Sequence, residues 1–243
     1  MSRFLLLHAF PFDGAMWDSV AELLRAEGHA VLAPDLCGFG SAPLGGRHPA
    51  IDVMVDDMLA LIGEEPAVIA GCSMGGYVAL GIATRRPDLV AALALVDTKA
   101  TADPEAAQAH RERVARLAED GLDWSAGMID GLLGETTRRT RPELVATVQG
   151  VLAAAPRATV AWAQRAMASR PDARAPLALL TTPVAVVMGE EDTMSPLGEQ
   201  VLIREAAPHA AWVPIPSAGH LTPLEAPAEV AAALLGLVAG RGD

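Results

Sequence analysis

Val68-Ile69-Ala70-Gly71-Cys72-Ser73-Met74-Gly75-Gly76 is the stretch from which the rest of the chain is read. An apolar run stops abruptly at G-x-S-x-G and gives way to Tyr77-Val78-Ala79-Leu80, a helix-like continuation. The pattern predicts a buried strand, a sharp corner and a helix, with the serine hydroxyl exposed at the corner. Glycines at 71 and 75 let strand and helix pass closely without Cβ clashes, and such a corner holds its serine in a strained backbone conformation. A serine hydroxyl is a weak nucleophile until a base removes its proton. The motif therefore demands a histidine and a carboxylate further along. Two rival readings compete with it. Ser73 could be a helix N-cap, where serine is favoured, but glycines on both sides at this spacing favour the nucleophile. Cys72 could be the nucleophile instead, but its neighbour holds the corner, which leaves Cys72 as a small packing residue.

Both demanded partners occur, in order. Pro183-Val184-Ala185-Val186-Val187-Met188-Gly189 reads as a buried strand and runs into Glu190-Glu191-Asp192. Trp212-Val213-Pro214-Ile215-Pro216 reads as a weaker strand and is followed by Ser217-Ala218-Gly219-His220. Ser73, Asp192 and His220 each fall just past a strand's C-terminal end, where open α/β sheets gather their ligands. Glu190, Glu191 and Asp97, the last at the end of an apolar run over 90–97, compete with Asp192 for the carboxylate role. Among the other histidines only His8 has a comparable strand-end setting, and it reads as a packing residue. Asp35, in P-D-x-x-G-x-G, reads as an acceptor for backbone amides.

Working outward, six strand-like segments fall at about 3–9, 29–35, 66–72, 90–97, 183–189 and 211–216. Helical patterns lie at about 15–27, 52–63, 75–85, 197–206 and 227–239. Such alternation predicts an α/β fold with a mostly parallel sheet covered by helices on both faces. The alternation breaks between about 98 and 180, where Pro104 to Glu119, Trp124 to Leu133, Pro142 to Ala154 and Pro156 to Ser169 read as helices without a strand. This predicts a core of residues 1–98 and 181–243 and a helical cap over 99–180, since long insertions at the strand ends usually shape a site. Arg138, Arg139 and Arg141 read as a solvated turn.

Composition narrows the function classes. The 243 residues are 51% hydrophobic and carry 18 Lys plus Arg against 30 Asp plus Glu, a net charge of −12. That balance argues against nucleic acid and anionic membranes as partners. No targeting or membrane-spanning pattern is evident, and the two cysteines, Cys37 and Cys72, make no disulfide framework, so the expected setting is cytoplasmic. No metal cluster or cofactor motif is present; the pattern around Gly38 and Gly40 lacks the third glycine and helix start of a dinucleotide site.

Over nearly its whole length the chain resembles the α/β-hydrolase superfamily. The residues that carry the likeness are His8-Ala9-Phe10-Pro11, Pro34-Asp35-Leu36-Cys37-Gly38-Phe39-Gly40, Gly71 to Gly76, Gly189-Glu190-Glu191-Asp192 and Gly219-His220, with the tail His220-Leu221-Thr222-Pro223-Leu224-Glu225-Ala226-Pro227. Together they look like the capped esterase, lactonase, perhydrolase and carbon–carbon-hydrolase branch. The resemblance implies Ser73 as nucleophile, His220 as base and Asp192 as orienting acid. It departs from the usual pattern at Ala9, where a glycine is customary, and at Cys37, where an arginine is. The N-terminal hairpin of the family is also expected to be lacking, which would leave the strand at 29–35 as a sheet edge.

The implied function is a serine hydrolase that cleaves a carboxylic ester or lactone through an acyl-enzyme. The backbone N–H groups of Met74 and Phe10 are the expected oxyanion donors, since Pro11 has none. Phe12, Tyr77, Trp124, Met128 and Trp162 are the expected substrate-binding residues, with Met167 beside them, around a neutral, apolar small molecule. Carbon–carbon bond cleavage or a hydroxynitrile-lyase-like reaction on the same triad, and a non-catalytic binding protein on the same fold, are the alternatives. The substrate and the oligomeric state stay open at this stage.

Overall fold

Residues 1–239 are described by a computed structural model. Six strands run as β1 (Arg3–Leu7), β2 (Ala30–Leu32), β3 (Ala67–Cys72), β4 (Val90–Val96), β5 (Val184–Gly189) and β6 (Ala211–Ile215). They form one sheet in the order β2-β1-β3-β4-β5-β6, and every neighbouring pair is parallel. All residues of β3 and β5 are buried, as a parallel sheet covered on both faces requires. The near-continuous apolar runs of the sequence are the cause: neither face of these strands meets water.

The helices of the core are α1 (Asp18–Ala26), α2 (Ile51–Ile62) and α3 (Met74–Arg85) in the first half. The stretch between β4 and β5 holds six more: α4 (Glu105–Glu119), α5 (Met128–Leu132), α6 (Glu135–Thr140), α7 (Pro142–Ala154), α8 (Arg157–Ala168) and α9 (Arg174–Leu177). After β5 come α10 (Leu197–Ala206), α11 (Thr222–Glu225) and α12 (Pro227–Gly236). Helices α1 and α12 pack together as one layer, while α2 and α3 pack together as the other, with α3 lying on β1, β3 and β4. No single helix among the described residues is long and apolar enough to cross a membrane.

Two expectations change. The strand expected over 29–35 is only Ala30–Leu32, because the Asp35 carboxylate pulls the next residues into a loop. It accepts hydrogen bonds from the Gly14 N–H at 2.9 Å, the Ser41 N–H at 2.7 Å and the Ser41 hydroxyl at 2.8 Å. Of the arginine-rich stretch, Arg138 and Arg139 lie in α6 and Arg141 is the residue between α6 and α7. Arg139 is exposed, as expected, while Arg138 pairs with Asp130 at 2.5 Å and Arg141 donates to the Glu225 carbonyl at 2.9 Å. The weak strand at 211–216 is explained by its place. Pro214 cannot donate to a ladder, and β6 is an edge strand.

Within the insertion, α4 packs along α8. Arg165 of α8 binds Glu112 at 3.0 Å and Glu119 at 2.5 Å on α4. Beneath that exposed network lies a buried one, in which Asp103 meets both Arg111 and Arg170. A single buried carboxylate between two guanidiniums fixes the start of the insertion against its last long helix.

Candidate active site

Ser73 sits where β3 turns into α3, with φ 51° and ψ −110°. That is a left-handed, strained conformation for a residue with a side chain. Tight packing holds it there. A Cβ on Gly71 would overlap the Gly75 carbonyl, and one on Gly75 would overlap the Leu7 carbonyl of β1. The Ser73 N–H donates to the Val96 carbonyl at 3.0 Å, and its own carbonyl accepts from the Thr98 hydroxyl at 2.7 Å. The corner is thus locked to the end of β4, and the Ser73 side chain is turned outward.

His220 Nε2 lies 2.8 Å from Ser73 Oγ, and its Nδ1 lies 2.9 Å from Asp192 Oδ2. The structure therefore brings together the three residues singled out from sequence. His220 and Asp192 are both buried. Asp192 is held from every side. Its Oδ1 accepts the N–H groups of Met194 at 2.8 Å and Ser195 at 3.0 Å, and its Oδ2 also accepts the Ser195 hydroxyl at 2.5 Å. Burial pushes this carboxyl up, but the His220 imidazole and these donors outweigh it and hold it below the usual range. Burial alone would lower His220. The facing Asp192 charge and hydrogen bond outweigh that and raise it above 6.5, while Lys99 pulls the other way.

The rival carboxylates do other work. Asp97 makes no bond to His220. Its Oδ1 accepts the Gly189 N–H at 2.8 Å, and its Oδ2 accepts the Thr222 N–H at 3.1 Å and hydroxyl at 2.6 Å. It ties the loop before Asp192 to the loop after His220. Burial, then the nearby Asp192 charge, push it up to about 7. Glu191 accepts from the Thr136 N–H at 2.8 Å and hydroxyl at 2.6 Å, which fastens α6 to the end of β5. Glu190 is exposed. Cys72 is buried, and burial first, then the carboxylates of Asp97, Asp192 and Glu225, push its thiol well up, so it holds no thiolate near neutral pH.

Phe10 lies in the loop after β1, and Met74 opens α3. Among the described residues neither the Phe10 nor the Met74 N–H donates to another protein group. His8 lies beneath this loop, fully buried, with Nδ1 3.0 Å from the Ala9 carbonyl and Nε2 accepting from the Leu36 N–H at 2.8 Å. Burial lowers it to about 4, so it stays neutral and structural.

A cavity of about 690 Å³ opens above Ser73 and His220, within the size range of small-molecule sites. Tyr77, Trp124 and Met128 line it, as do Phe10 and Met167. Phe12 and Trp162 do not line it, which corrects the sequence expectation for both. Phe12 is buried in the core, with its N–H on the Ala9 carbonyl at 2.9 Å. Trp162 spends its indole N–H on the Arg47 carbonyl at 2.8 Å and braces a loop. Charged and polar groups share this largely apolar lining: Lys99, Asp103, His110, Arg111, Arg113 and Asp123 also reach it.

Sequence reasoning missed Ser195, Thr98 and Lys99 and gave Glu225 no role. Glu225 accepts the N–H groups of Gly219 at 2.9 Å and Leu221 at 3.2 Å on one oxygen, and of Gly134 at 2.9 Å on the other. It clamps both flanks of His220 to the insertion. The signal for Ser195 was its place three residues past Asp192, within reach of a turn. The signal for Lys99 was its rarity.

The family model described as "Alpha/beta hydrolase family" matches residues 4–233. A pimeloyl-[acyl-carrier protein] methyl ester esterase of Chromobacterium violaceum is 29% identical over 237 residues, covering 89% of this chain and 86% of that protein. A protein of the same description from Neisseria meningitidis is 31% identical over 245 residues, with 88% of each chain covered. A solved thermophilic esterase from Thermogutta terrifontis, with malate bound, superposes with TM-score 0.92 at 36% identity, covering 98% of this chain and 89% of that one. With a family model spanning nearly all of its length, the chain belongs to the alpha/beta hydrolase family.

Proposed function

We propose that this hydrolase cleaves carboxylic esters through an acyl-enzyme on Ser73, with His220 as base and Asp192 as the acid that orients it. The observation that carries the reading is the unbroken chain of contacts from Ser73 Oγ through both ring nitrogens of His220 to Asp192 Oδ2. In this reading Asp192 accepts a hydrogen bond from the Nδ1–H of His220, which leaves the Nε2 lone pair facing the hydroxyl. As Ser73 Oγ attacks the acyl carbon, its proton passes to Nε2 and the imidazolium rests against the carboxylate. The tetrahedral oxyanion takes the two uncommitted N–H groups of Phe10 and Met74, which are worth roughly 3–4 kcal/mol each in transition-state stabilisation. His220 then returns its proton to the leaving alkoxide. Water repeats the attack on the acyl-enzyme with His220 again as base, releasing the acid and restoring Ser73.

The likeness to known esterases supports an ester over a carbon–carbon substrate. A lactone is an internal ester and meets the same groups, so it stays within this reading. The insertion, residues 99–180, is proposed as the cap. Its residues Trp124, Met128 and Arg111 share the cavity lining with Ser73, and Glu191 and Glu225 fasten it to the loops that carry Asp192 and His220.

A panel of p-nitrophenyl esters of increasing acyl length beside a lactone panel tests the reading. Wild-type protein turns over at least one class, and Ser73→Ala abolishes it. Turnover that survives in Ser73→Ala overturns the assignment of the nucleophile.

A further inference from the structure

Lys99 is the one lysine in 243 residues, and it lies in the catalytic cavity. It follows Thr98, whose hydroxyl holds the Ser73 carbonyl and whose own carbonyl accepts from Gln200 Nε2 at 2.9 Å. The backbone that carries Lys99 is thereby fixed beside the nucleophile. The side chain is half-buried and lines the 690 Å³ cavity with Ser73, Tyr77 and His220. It also lines a second cavity of about 260 Å³, whose wall includes Tyr77, Leu80 and Pro176 with the charged Asp52, Arg85, Arg170 and Asp172, none of them bonded to Lys99. Tyr77 and Lys99 are common to both cavities.

The other cations near Ser73 have partners. Arg111 and Arg170 share Asp103, and Arg113 contacts His110 Nδ1 at 3.5 Å. Lys99 has no hydrogen bond or ion pair among the described residues. The cavity lining holds three cations, Lys99, Arg111 and Arg113, against two carboxylates, Asp103 and Asp123, although the whole chain carries −12. An ammonium group partly removed from water, with no counter-charge bonded to it, is unfavourable unless a ligand supplies one.

We propose that Lys99 binds a free carboxylate on the substrate, so that the preferred substrates are half-esters of dicarboxylic acids rather than neutral esters. This rests on the ester-hydrolase reading above. One ammonium matches one monoanionic group. Its position at the junction of the two cavities places that group beyond Tyr77, and the ester carbonyl stays over Ser73. Lys99 acts as a specificity residue and takes no part in the bond changes.

The test compares monomethyl succinate, adipate and suberate with isosteres in which an isopropyl group replaces the free carboxylate. The readout is the ratio of kcat/KM within each pair, which cancels any effect of Lys99 on His220. In wild-type protein at least one half-ester exceeds its isostere. Lys99→Met lowers that ratio by roughly tenfold to hundredfold, the range for a hydrogen bond to a charged group. Lys99→Arg retains most of the preference, and Lys99→Glu reverses it. Fluorophosphonate labelling of Ser73 in each variant reports that the site is intact. If neutral isosteres are hydrolysed but the ratio does not move in Lys99→Met, this proposal falls while the esterase reading stands. If neither member of any pair is hydrolysed and Ser73 resists labelling, both fall together.

Discussion

Replacing Asp192 by Asn should stop the enzyme through a proton, and the structure dictates which one. Asp192 Oδ1 accepts two backbone N–H groups, from Met194 and Ser195. In Asp192→Asn the amide oxygen must keep that position, because an NH2 there would face two donors. The NH2 therefore takes the place of Oδ2, 2.9 Å from His220 Nδ1. It donates to Nδ1, so Nδ1 must present its lone pair and the ring proton moves to Nε2. Nε2 lies 2.8 Å from Ser73 Oγ and can no longer accept its proton. A wrong-tautomer substitution of this kind costs about ten-thousand-fold in kcat, or ~5.5 kcal/mol of barrier. The assay is steady-state turnover of a p-nitrophenyl ester, with the rate of fluorophosphonate labelling as an independent report on Ser73. Circular dichroism confirms that the variant is folded. A loss of less than about tenfold, ~1.4 kcal/mol, would contradict this assignment of the proton. So would an equal loss in Asp97→Asn with Asp192→Asn active, since the Asp97 carboxylate accepts from Gly189 and Thr222 and makes no bond to His220.

Other outcomes follow from the same geometry. The acid limb of kcat/KM should have its midpoint above 6.5, because the Asp192 charge raises His220 against the effect of burial and protonated His220 cannot act as base; Lys99→Met should move that midpoint further up, since the Lys99 charge opposes protonation. Gly75→Ala drives a methyl into the Leu7 and His8 carbonyls, and should cost at least ~3 kcal/mol, read as a fall in Tm of roughly 6–12 °C. Cys72→Ala should keep most of its turnover and its Ser73 labelling, because the thiol is buried and its pKa pushed up; loss of labelling with the fold intact would reopen Cys72 as nucleophile. Glu225→Gln leaves the Gly134 N–H or the Gly219 and Leu221 pair facing a donor, and should cost roughly 1–3 kcal/mol in a thermal melt.

The core was legible because its signals are local and strongly periodic. β3 and β5 read as continuous apolar runs since both faces are covered, and G-x-S-x-G fixes its own backbone through glycines that no other residue could replace. What the sequence hid depends on distant partners. The strand after Gly28 was overdrawn because Asp35 recruits Gly14 and Ser41, residues well apart in the chain. Arg138 and Arg141 read as solvated because Asp130 and Glu225 reach them only in the folded chain. Phe12 and Trp162 were placed in the site on their aromatic character alone, which cannot separate a cavity wall from the core. The charged part of the lining was missed because Lys99, Arg111 and Asp123 belong to segments that meet only in the folded chain.

Every step of the proposed mechanism depends on Ser73 being a nucleophile activated by His220. Peptide mass spectrometry after treatment of the native protein with a fluorophosphonate tests this most directly. The expected result is one adduct on the peptide that contains Ser73, absent in Ser73→Ala and slowed by orders of magnitude in His220→Ala. An unmodified Ser73 in folded protein, or an adduct carried by Ser195 instead, would contradict it.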